Sequence, residues 1–443
     1  MYWASGAYIY ITTACNLDCK YCFEKLKGSE KMDIELIKKI VKNLVDNAKI
    51  YNKISTIVFF GGEPLLEKDK IIQVAKYIQE NNWNKYIQIF IITNATIVDD
   101  KLLEVLGNTG IRVSISISFD GPKEVHDANR IFPGEKGSFE IVYRNIQKIK
   151  KFSKKHKNIR FAVRATVAKN TAKFFPKTIE FFFKEKLPFA IEFDVYNFDE
   201  EFEKTIRSQY NEIVKLAKKY EDLITLWSNY NRFVEAYFRP PQAKSCSVGE
   251  EVAIDTSGDI WPCHRIYELS KVLNNKTWWM GNAIRKEYNI DIIKTFRELD
   301  FRKVEKCREC EIFGFCMGGC AATHITYTGR PDTPAEKFCR AEKTLAELLF
   351  RILKHVGKPI QITDEHSIYT ATGRVAFAFR NVPKNPWDVY IPAPDRIAHY
   401  LPPCLGGNGK GTVHPPYIRF LKLDTCKKCK YSKTCQGIPV WIL

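Results

Sequence analysis

The sequence has no apolar run near the roughly 18 residues that a membrane-spanning helix needs, so no membrane partner is expected. Its first residues, MYWASGAYIYITTACNLDCK, lack the basic segment that opens a signal peptide, which favours a cytoplasmic protein. Cysteine is absent between Cys22 and Cys246, although the chain has 14 cysteines. In a cytoplasmic chain, grouped cysteines more often bind metal or perform redox chemistry than form disulfides.

Composition and charge define the broad class of protein. Hydrophobic residues make up 45% of the 443 residues and aromatic residues 13%, which is enough for sizeable buried cores. Lysine and arginine exceed aspartate and glutamate by 69 − 51 = 18. This excess would attract an acidic partner, but an evenly lysine-rich surface explains it as well.

Short β-branched and aromatic runs alternate with amphipathic, lysine-rich segments from residue 6 to about residue 200. The predicted strands are residues 7–13, 55–60, 86–93, 112–119, 159–167 and 189–195. The predicted helices are residues 32–51, 68–81, 100–106, 139–153 and 175–185. Six such β/α units predict a parallel sheet buried on both faces, arranged as an open or partial barrel. In such folds the functional residues gather after the carboxyl ends of the strands.

A group of three cysteines, Cys15-x3-Cys19-x2-Cys22, directly follows the first predicted strand. Three thiolates on one loop can bind three irons of a [4Fe–4S] cluster and leave the fourth iron open to a small ligand. Zinc is the alternative, but a closed zinc site needs a fourth protein ligand, and this loop offers none.

A second motif, Gly61-Gly62-Glu63-Pro64, follows the second predicted strand. Glycines there allow a ligand to approach the backbone closely, and the glutamate can accept a hydrogen bond from an ammonium group. Taken alone, the motif is equally well explained as a tight turn.

Together, CNLDCKYCF and FFGGEPLL resemble the radical S-adenosylmethionine (SAM) superfamily, over most of residues 1–200. The resemblance implies a partial (β/α)6 barrel whose Cys15, Cys19 and Cys22 hold a [4Fe–4S] cluster, with SAM bound at the open iron. Reduction would cleave SAM to methionine and a 5′-deoxyadenosyl radical that abstracts hydrogen from the substrate. The residues that the resemblance assigns to the SAM site next to this loop are Phe23, Gly61, Gly62, Glu63 and Pro64.

A longer string, from Ser116 to Arg130, ends the fourth predicted strand and resembles the subgroup of sulfatase-maturating enzymes and peptide maturases. By this resemblance Asn94, Ser118 and Arg164 are candidates for contacts with the ribose or carboxylate of SAM. Routine hydrogen bonds at turns and strand ends are the alternative for all three.

The middle cysteines resemble the SPASM domain, a module of peptide-modifying radical SAM enzymes that holds auxiliary [4Fe–4S] clusters. The resemblance implies one cluster on Cys307, Cys310, Cys316 and Cys339, and a second on Cys246, Cys263 and Cys320. Seven cysteines cannot supply eight ligands, so the second cluster either takes another ligand or has an open iron for a substrate thiolate. Two structural zinc sites are the alternative.

Cys263 is followed by His264 and Arg265, whereas sulfatase-maturating enzymes usually have an aspartate in place of this histidine as a proton acceptor. Together with Met280-Gly281-Asn282, the pattern looks more like thioether-forming maturases of ribosomally made peptides. His264 is therefore the candidate catalytic residue, as a base or a cluster neighbour, and a buried structural histidine is the alternative.

The tail repeats the spacing of the middle cysteines. Cys426-x2-Cys429-x5-Cys435, with Cys404 as a candidate fourth ligand, predicts either a third auxiliary cluster or a zinc site. Cys404 could instead complete the second auxiliary cluster.

We therefore predict an α/β protein with a radical SAM partial barrel in residues 1–235, a SPASM domain in residues 236–345 and a C-terminal extension in residues 346–443. The predicted activity modifies a peptide or protein side chain and forms a thioether or another cross-link, with flavodoxin or ferredoxin as electron donor. The alternatives are a formylglycine-forming anaerobic sulfatase-maturating enzyme and a radical SAM enzyme that acts on a small molecule or RNA. A zinc-ribbon nucleic-acid-binding protein would use the positive charge, but it leaves GGEP and the β/α units unexplained.

Overall fold

The computed structural model describes residues 4–236 and 241–356, together with four two-residue strands further along the chain. The predicted ligands Cys404, Cys426, Cys429 and Cys435 lie outside the described residues. No helix in the described part of the chain is long and apolar enough to cross a membrane.

Ten strands form one sheet, in the order β10-β9-β8-β7-β1-β2-β3-β4-β5-β6. These strands are β1 (Gly6–Thr12), β2 (Ser55–Gly61), β3 (Ile87–Thr93), β4 (Arg112–Ser118), β5 (Ile159–Val167), β6 (Phe189–Phe193), β7 (Glu251–Ile254), β8 (Asp259–Trp261), β9 (Gly281–Asn282) and β10 (Glu287–Tyr288). Strands β1 to β6 pair in parallel, and β7 pairs with β1 in parallel as well. Because β6 and β10 lie at the two ends of the order, the sheet does not close on itself. The α/β prediction of an open, parallel barrel is confirmed.

Fifteen α-helices lie in the described part of the chain. They are α1 (Ile34–Tyr51), α2 (Lys68–Glu80), α3 (Asp100–Asn108), α4 (Lys123–His126), α5 (Phe139–Lys155), α6 (Phe175–Lys184), α7 (Glu200–Ser208), α8 (Tyr210–Lys219), α9 (Ser228–Glu235), α10 (His264–Leu273), α11 (Ile290–Arg297), α12 (Glu305–Arg308), α13 (Phe313–Cys316), α14 (Ala321–Thr328) and α15 (Glu336–His355). Short 3-10 helices cover Pro64–Glu67, Lys169–Phe174, Glu221–Leu226 and Phe301–Lys303. Two short antiparallel strand pairs follow, β11 (Ile368–Tyr369) with β12 (Val375–Ala376) and β13 (Phe420–Leu421) with β14 (Ile438–Pro439).

Burial differs between the middle of the sheet and the strands that follow. Every residue of β1 and β2 is buried, as expected where helices cover one face and protein fills the other. In β3 burial alternates, with the odd-numbered residues buried and Phe90 and Ile92 half-buried. Phe90 and Ile92 line a cavity inside the barrel, which explains the alternation.

Helix α1 illustrates how the sequence fixes an element of the outer layer. The Asp33 side chain accepts hydrogen bonds from the backbone N–H groups of Glu35 and Leu36, which caps the first turn. Apolar residues recur at helical spacing and are buried against the sheet. The helix ends at Asn52, whose φ of 48° stops further helical hydrogen bonding.

The cysteine-rich region continues the sheet of the barrel, because β7 pairs with β1 from Gly6↔Glu251 to Ile9↔Ile254. Helix α15 then returns to the barrel, where Arg207 forms an ion pair with Glu347 and Arg340 lies 3.2 Å from Glu203. The boundary that we predict at residue 345 falls inside this helix.

Replacing Asp33 with alanine should lower the free energy of unfolding by about 1 kcal/mol, because two N–H groups of α1 lose their acceptor. Urea denaturation measures the change. The matched control is Asp46→Ala on the exposed face of the same helix, which breaks a surface pair with Lys42 worth only about 0.3 kcal/mol. Equal losses in the two variants would contradict the capping role.

Candidate functional site

A cavity of about 1640 Å³ lies between the barrel and the cysteine-rich region. Seven cysteines line it, namely Cys15, Cys19, Cys22, Cys246, Cys263, Cys316 and Cys320. The other predicted site residues that line it are Phe23, Gly61, Gly62, Glu63, Asn94, Ser118, Arg164 and His264. Pro64, Cys307, Cys310 and Cys339 do not line the cavity, and Pro64 opens the 3-10 helix directly after Glu63. Fifteen predicted site residues from distant segments of the sequence therefore line one cavity.

The loop after β1 presents three free, half-buried thiols, those of Cys15, Cys19 and Cys22. The Cys19 thiol is near enough to the other two to disfavour their ionisation. Burial raises the pKa of Cys15 to about 11 and that of Cys22 to about 12. The Lys27 ammonium closes the loop by donating a hydrogen bond of 2.6 Å to the Leu17 carbonyl. Three neighbouring thiols without a fourth fit a cluster that has one open iron.

Residues 120–130 pack against the cysteine loop and support it, which the sequence did not predict. Arg130 is buried and its Nε lies 3.1 Å from Oδ2 of Asp120, while the Tyr21 hydroxyl donates to the same carboxylate. The Arg130 guanidinium also lies beside the Cys19 thiol, where its charge opposes the rise that burial causes in the pKa of that thiol. The backbone N–H of Lys20 donates to the Asn129 carbonyl at 3.0 Å. The sequence does contain Asp120 and Arg130 within the string that indicates the subgroup, but their support of the cysteine loop cannot be recognised from that resemblance.

Glu63 joins the ends of β2 and β3. Its Oε1 accepts hydrogen bonds from the Leu65 N–H at 2.9 Å and the Thr93 hydroxyl at 2.6 Å, and its Oε2 accepts from the Asn94 N–H at 2.7 Å. Burial raises the pKa of this carboxyl to about 7, and those three hydrogen bonds oppose the rise. Asn94 in turn approaches the cysteine loop, since its Nδ2 lies 3.9 Å from Sγ of Cys15.

The two glycines before Glu63 let the end of β2 lie against the end of β1. A Cβ on Gly61 would be 2.0 Å from the Thr12 carbonyl oxygen, and one on Gly62 would be 2.2 Å from the Ala14 carbonyl oxygen. The Gly62 N–H donates to Thr12 O at 3.1 Å, and the Glu63 N–H donates to Ala14 O at 2.8 Å. The motif therefore fixes the base of the cysteine loop, and its predicted contact with SAM stays a prediction.

The middle cysteines separate into two groups in space. Cys320 raises the pKa of both Cys246 and Cys263, so these three thiols are neighbours, and burial is the larger cause of both shifts. Burial, together with neighbouring thiols of a second group, raises the pKa of Cys307 and Cys316, and Cys310 contributes to the raised pKa of Cys339. The second group consists of Cys307, Cys310, Cys316 and Cys339. The structure thus brings together the two sets that the SPASM resemblance implies, and their role as cluster ligands stays a prediction.

No group of three His, Cys, Asp or Glu side chains could hold a single metal ion within residues 4–236 and 241–356. A [4Fe–4S] cluster is bound differently, with one thiolate on each iron at its corners. Its ligands need not converge on one point, so the donor set of free thiols fits a cluster better than a single ion.

His264 begins α10 and lies inside an aromatic enclosure. Its ring stacks on Tyr8 with centroids 4.6 Å apart and lies 4.7 Å from the Phe60 ring. Its Nδ1 is buried and has no hydrogen-bond partner among the described residues. Burial, and then the charges of Arg265 and Arg164, hold the pKa of this imidazole well below its usual range. The ring is therefore neutral at pH 7.

Arg164 on β5 lies beside Ser118 in the register of the sheet and forms an ion pair with Glu192 on β6. Burial, and then the positive charge of Arg265, lowers the pKa of Arg164 to about 10. Ser118 is half-buried at the carboxyl end of β4. Both side chains face the cavity at the strand ends, where the sequence analysis expects contacts with SAM.

Residues 9–165 match the model of the Radical SAM superfamily. This segment spans the cysteine loop, the Gly61–Glu63 turn and the first five strands of the barrel, so the chain contains a radical SAM domain and is an enzyme. A radical SAM domain implies SAM and a [4Fe–4S] cluster as its cofactors.

The chain is 25% identical, over 383 residues, to the cysteine-type anaerobic sulfatase-maturating enzyme of Clostridium perfringens, covering 79% of this chain and 97% of that one. It is 32% identical over 133 residues to the radical SAM cyclopropyl synthase TigE of Paramaledivibacter caminithermalis, covering 27% of each. A solved structure described as native anSMEcpe with bound AdoMet and Cp18Cys peptide superposes with a TM-score of 0.62 at 20% identity, over 79% of this chain and 98% of that chain. The structural likeness establishes the shared fold.

Replacing Gly62 with alanine should lower the free energy of unfolding by about 3 kcal/mol, because the new Cβ overlaps a backbone oxygen of the cysteine loop. The protein should also bind less iron. Gly134→Ala is the control, since it meets nothing within 4 Å and costs only the strain of its positive φ, about 1 kcal/mol. A Gly62→Ala protein as stable and as iron-rich as the control would contradict the packing argument.

Proposed function

We propose that this enzyme modifies a side chain of a peptide or protein and forms a thioether or another cross-link in a ribosomally made peptide. The observation that carries the proposal is the shared cavity, which has the cysteine loop on one wall and Cys246, Cys263 and Cys320 on another. Its volume of about 1640 Å³ exceeds the 300–1,000 Å³ typical of small-molecule pockets. The excess leaves room for a peptide segment beside the cofactors.

The residues proposed to hold the first cluster are Cys15, Cys19 and Cys22, and those proposed to contact SAM are Phe23, Gly61, Gly62, Glu63, Pro64, Asn94, Ser118 and Arg164. When bound, the cofactors supply a 5′-deoxyadenosyl radical, which abstracts a hydrogen atom from the substrate. The side chains of the protein orient the substrate and shield the site from water. Tyr8, Phe60 and Phe23 form an aromatic wall that keeps water from a reactive centre.

His264 is proposed as the proton acceptor on this wall. The imidazole is neutral at pH 7, so a ring nitrogen is free to accept a proton from a substrate thiol, although the burial and arginine charges that lower its pKa also make it a weak base. The aromatic contacts with Tyr8 and Phe60 fix the plane of the ring, so the acceptor nitrogen has a defined direction.

The two middle groups of cysteines are proposed to hold one auxiliary [4Fe–4S] cluster each. The tail group of Cys404, Cys426, Cys429 and Cys435 is proposed to hold a third cluster or zinc. The proposal places the enzyme in the cytoplasm, where a low-potential donor such as flavodoxin or ferredoxin supplies the electrons.

A second candidate activity is the oxidation of a cysteine or serine to formylglycine. It is favoured by the C. perfringens relative, which this chain matches along 97% of that protein's length. The histidine at position 264, where such enzymes usually have an aspartate, argues for the cross-link. Mass spectrometry separates the two with a cysteine-containing peptide library: a cross-link removes two hydrogen atoms, whereas formylglycine also exchanges the cysteine sulfur for oxygen.

Cys19→Ala should abolish formation of 5′-deoxyadenosine from SAM under dithionite, because two thiolates do not hold the first cluster. The variant should bind about four fewer irons per chain than the parent while its far-UV circular dichroism is unchanged. Anaerobic reconstitution, iron analysis and chromatography give both numbers. Retained 5′-deoxyadenosine formation would overturn the assignment of the cysteine loop.

His264→Phe should lower the amount of modified peptide per 5′-deoxyadenosine by about 100-fold, because the ring packing remains but the proton acceptor is lost. Tyr8→Phe is the matched control, since it keeps the aromatic face that stacks on His264. The ratio is measured by mass spectrometry across pH 6 to 9. A parent-like ratio in His264→Phe would assign this histidine a purely structural role.

A further inference from the structure

Arg265 lies where three parts of the cavity wall meet. Its guanidinium is 5.3 Å from the ring centre of Phe23, the residue that follows the cysteine loop. It is 6.0 Å from the ring centre of Tyr196, and its Nη2 is 4.0 Å from Oε2 of Glu192 on β6. The Cys320 thiol lies beside the same guanidinium and favours its charged form. Arg265 thus connects the barrel with the group of Cys246, Cys263 and Cys320, which we call the cavity group.

Positive charge is concentrated beside the cavity group. Arg164 and Arg232 also line the cavity, and the charges of Arg265 and Arg232 both reach Arg164 and disfavour its charged form. Glu192 is engaged mainly by Arg164, and Arg232 lies 3.5 Å from Glu342. Arg265 has the longest separation from a carboxylate of these three arginines. Its charge is therefore the least compensated of the three, and Cys320 lies beside it.

The basic residues at the other two cysteine groups are placed differently. Arg130, beside Cys19, is 3.1 Å from the buried Asp120, so a carboxylate offsets its charge. Lys306, beside Cys307 and Cys339, is 55% exposed and pairs with Glu336 at 2.7 Å, so water and a carboxylate both screen it. The cavity group differs because its arginine lies within the wall and is 4.0 Å from the carboxylate of Glu192.

We infer that Arg265 is a positioning residue for the cavity group: its charge lies beside Cys320 and raises the reduction potential of the iron–sulfur cluster bound there. Reduction adds one negative charge to a cluster, and a nearby cation stabilises the reduced form. The inference rests on the proposed function, which assigns a cluster to this group. It adds that this auxiliary cluster is tuned by a residue of the barrel-facing wall.

The test compares Arg265→Met, Arg265→Lys and the parent as full-length proteins in the Cys19→Ala background, which removes the signal of the first cluster. Each is reconstituted anaerobically, its iron is counted, and its auxiliary clusters are titrated with redox mediators and followed by electron paramagnetic resonance. Arg285→Met is the matched control, because Arg285 is 52% exposed and pairs with Glu287 on the surface.

In Arg265→Met, one auxiliary midpoint potential should become more negative, while every other auxiliary potential and the iron content stay unchanged. The lysine variant keeps the charge but not the planar fork of donors, so its shift should be smaller. If Arg265→Met binds less iron than the parent, the test relies on Arg265→Lys. A more negative midpoint potential of one auxiliary cluster in that variant then supports the inference.

Parent-like potentials at full iron content, in Arg265→Met or in the lysine variant that replaces it, would overturn the role of Arg265. That outcome leaves the proposed function standing. If the parent itself lacks iron for the cavity group, the proposed cluster is absent and the proposed function fails first. A shift of the same size in Arg285→Met would show that the change is not specific to Arg265 and would also overturn the inference.

Discussion

The candidate site depends on the position of β1 between β2 and β7. This strand is hydrogen-bonded on one side to the barrel and on the other to the cysteine-rich region. Its carboxyl end leads into the loop of Cys15, Cys19 and Cys22, and its side chains contact His264, through the stacked ring of Tyr8 and a hydrogen bond of 3.1 Å from the Tyr10 hydroxyl to the His264 carbonyl. One strand thus fixes the distance between the two halves of the cavity.

Sequence patterns predicted the barrel well because its information is local. Each of the six predicted strands and five predicted helices ends within two residues of the observed element. Buried parallel strands are continuous apolar runs and outer helices have apolar stripes, so both can be recognised within a short window. The pairing of Gly6 with Glu251 has no such signal, because the two residues are distant in sequence and neither residue type indicates the other as its partner.

The candidate site divides in the same way. Thiols, glycines and Glu63 were identified because their residue types and spacing indicate a chemistry. The supporting roles of Arg130 and Arg265 were missed, because these side chains approach Cys19 and Cys320 only in the folded chain. Glu63 shows that the two roles coincide: the same carboxylate that is predicted to meet a ligand already accepts three hydrogen bonds that join β2 to β3. A residue of the predicted binding motif is therefore also part of the structure that holds β2 and β3 together.

Burial explains why cations accompany these thiols. It raises the pKa of Cys15 and of Cys246 to about 11 and that of Cys307 to about 12, so these groups hold their protons at pH 7 in the metal-free chain. A metal cluster needs thiolates, and its assembly must therefore release those protons and pay the cost of burying charge. Arg130 beside Cys19 and Arg265 beside Cys320 place positive charge next to these sulfurs. At Cys19 this charge favours the ionised form of the thiol, which makes the wall of the cavity part of the chemistry that the cysteines are proposed to support.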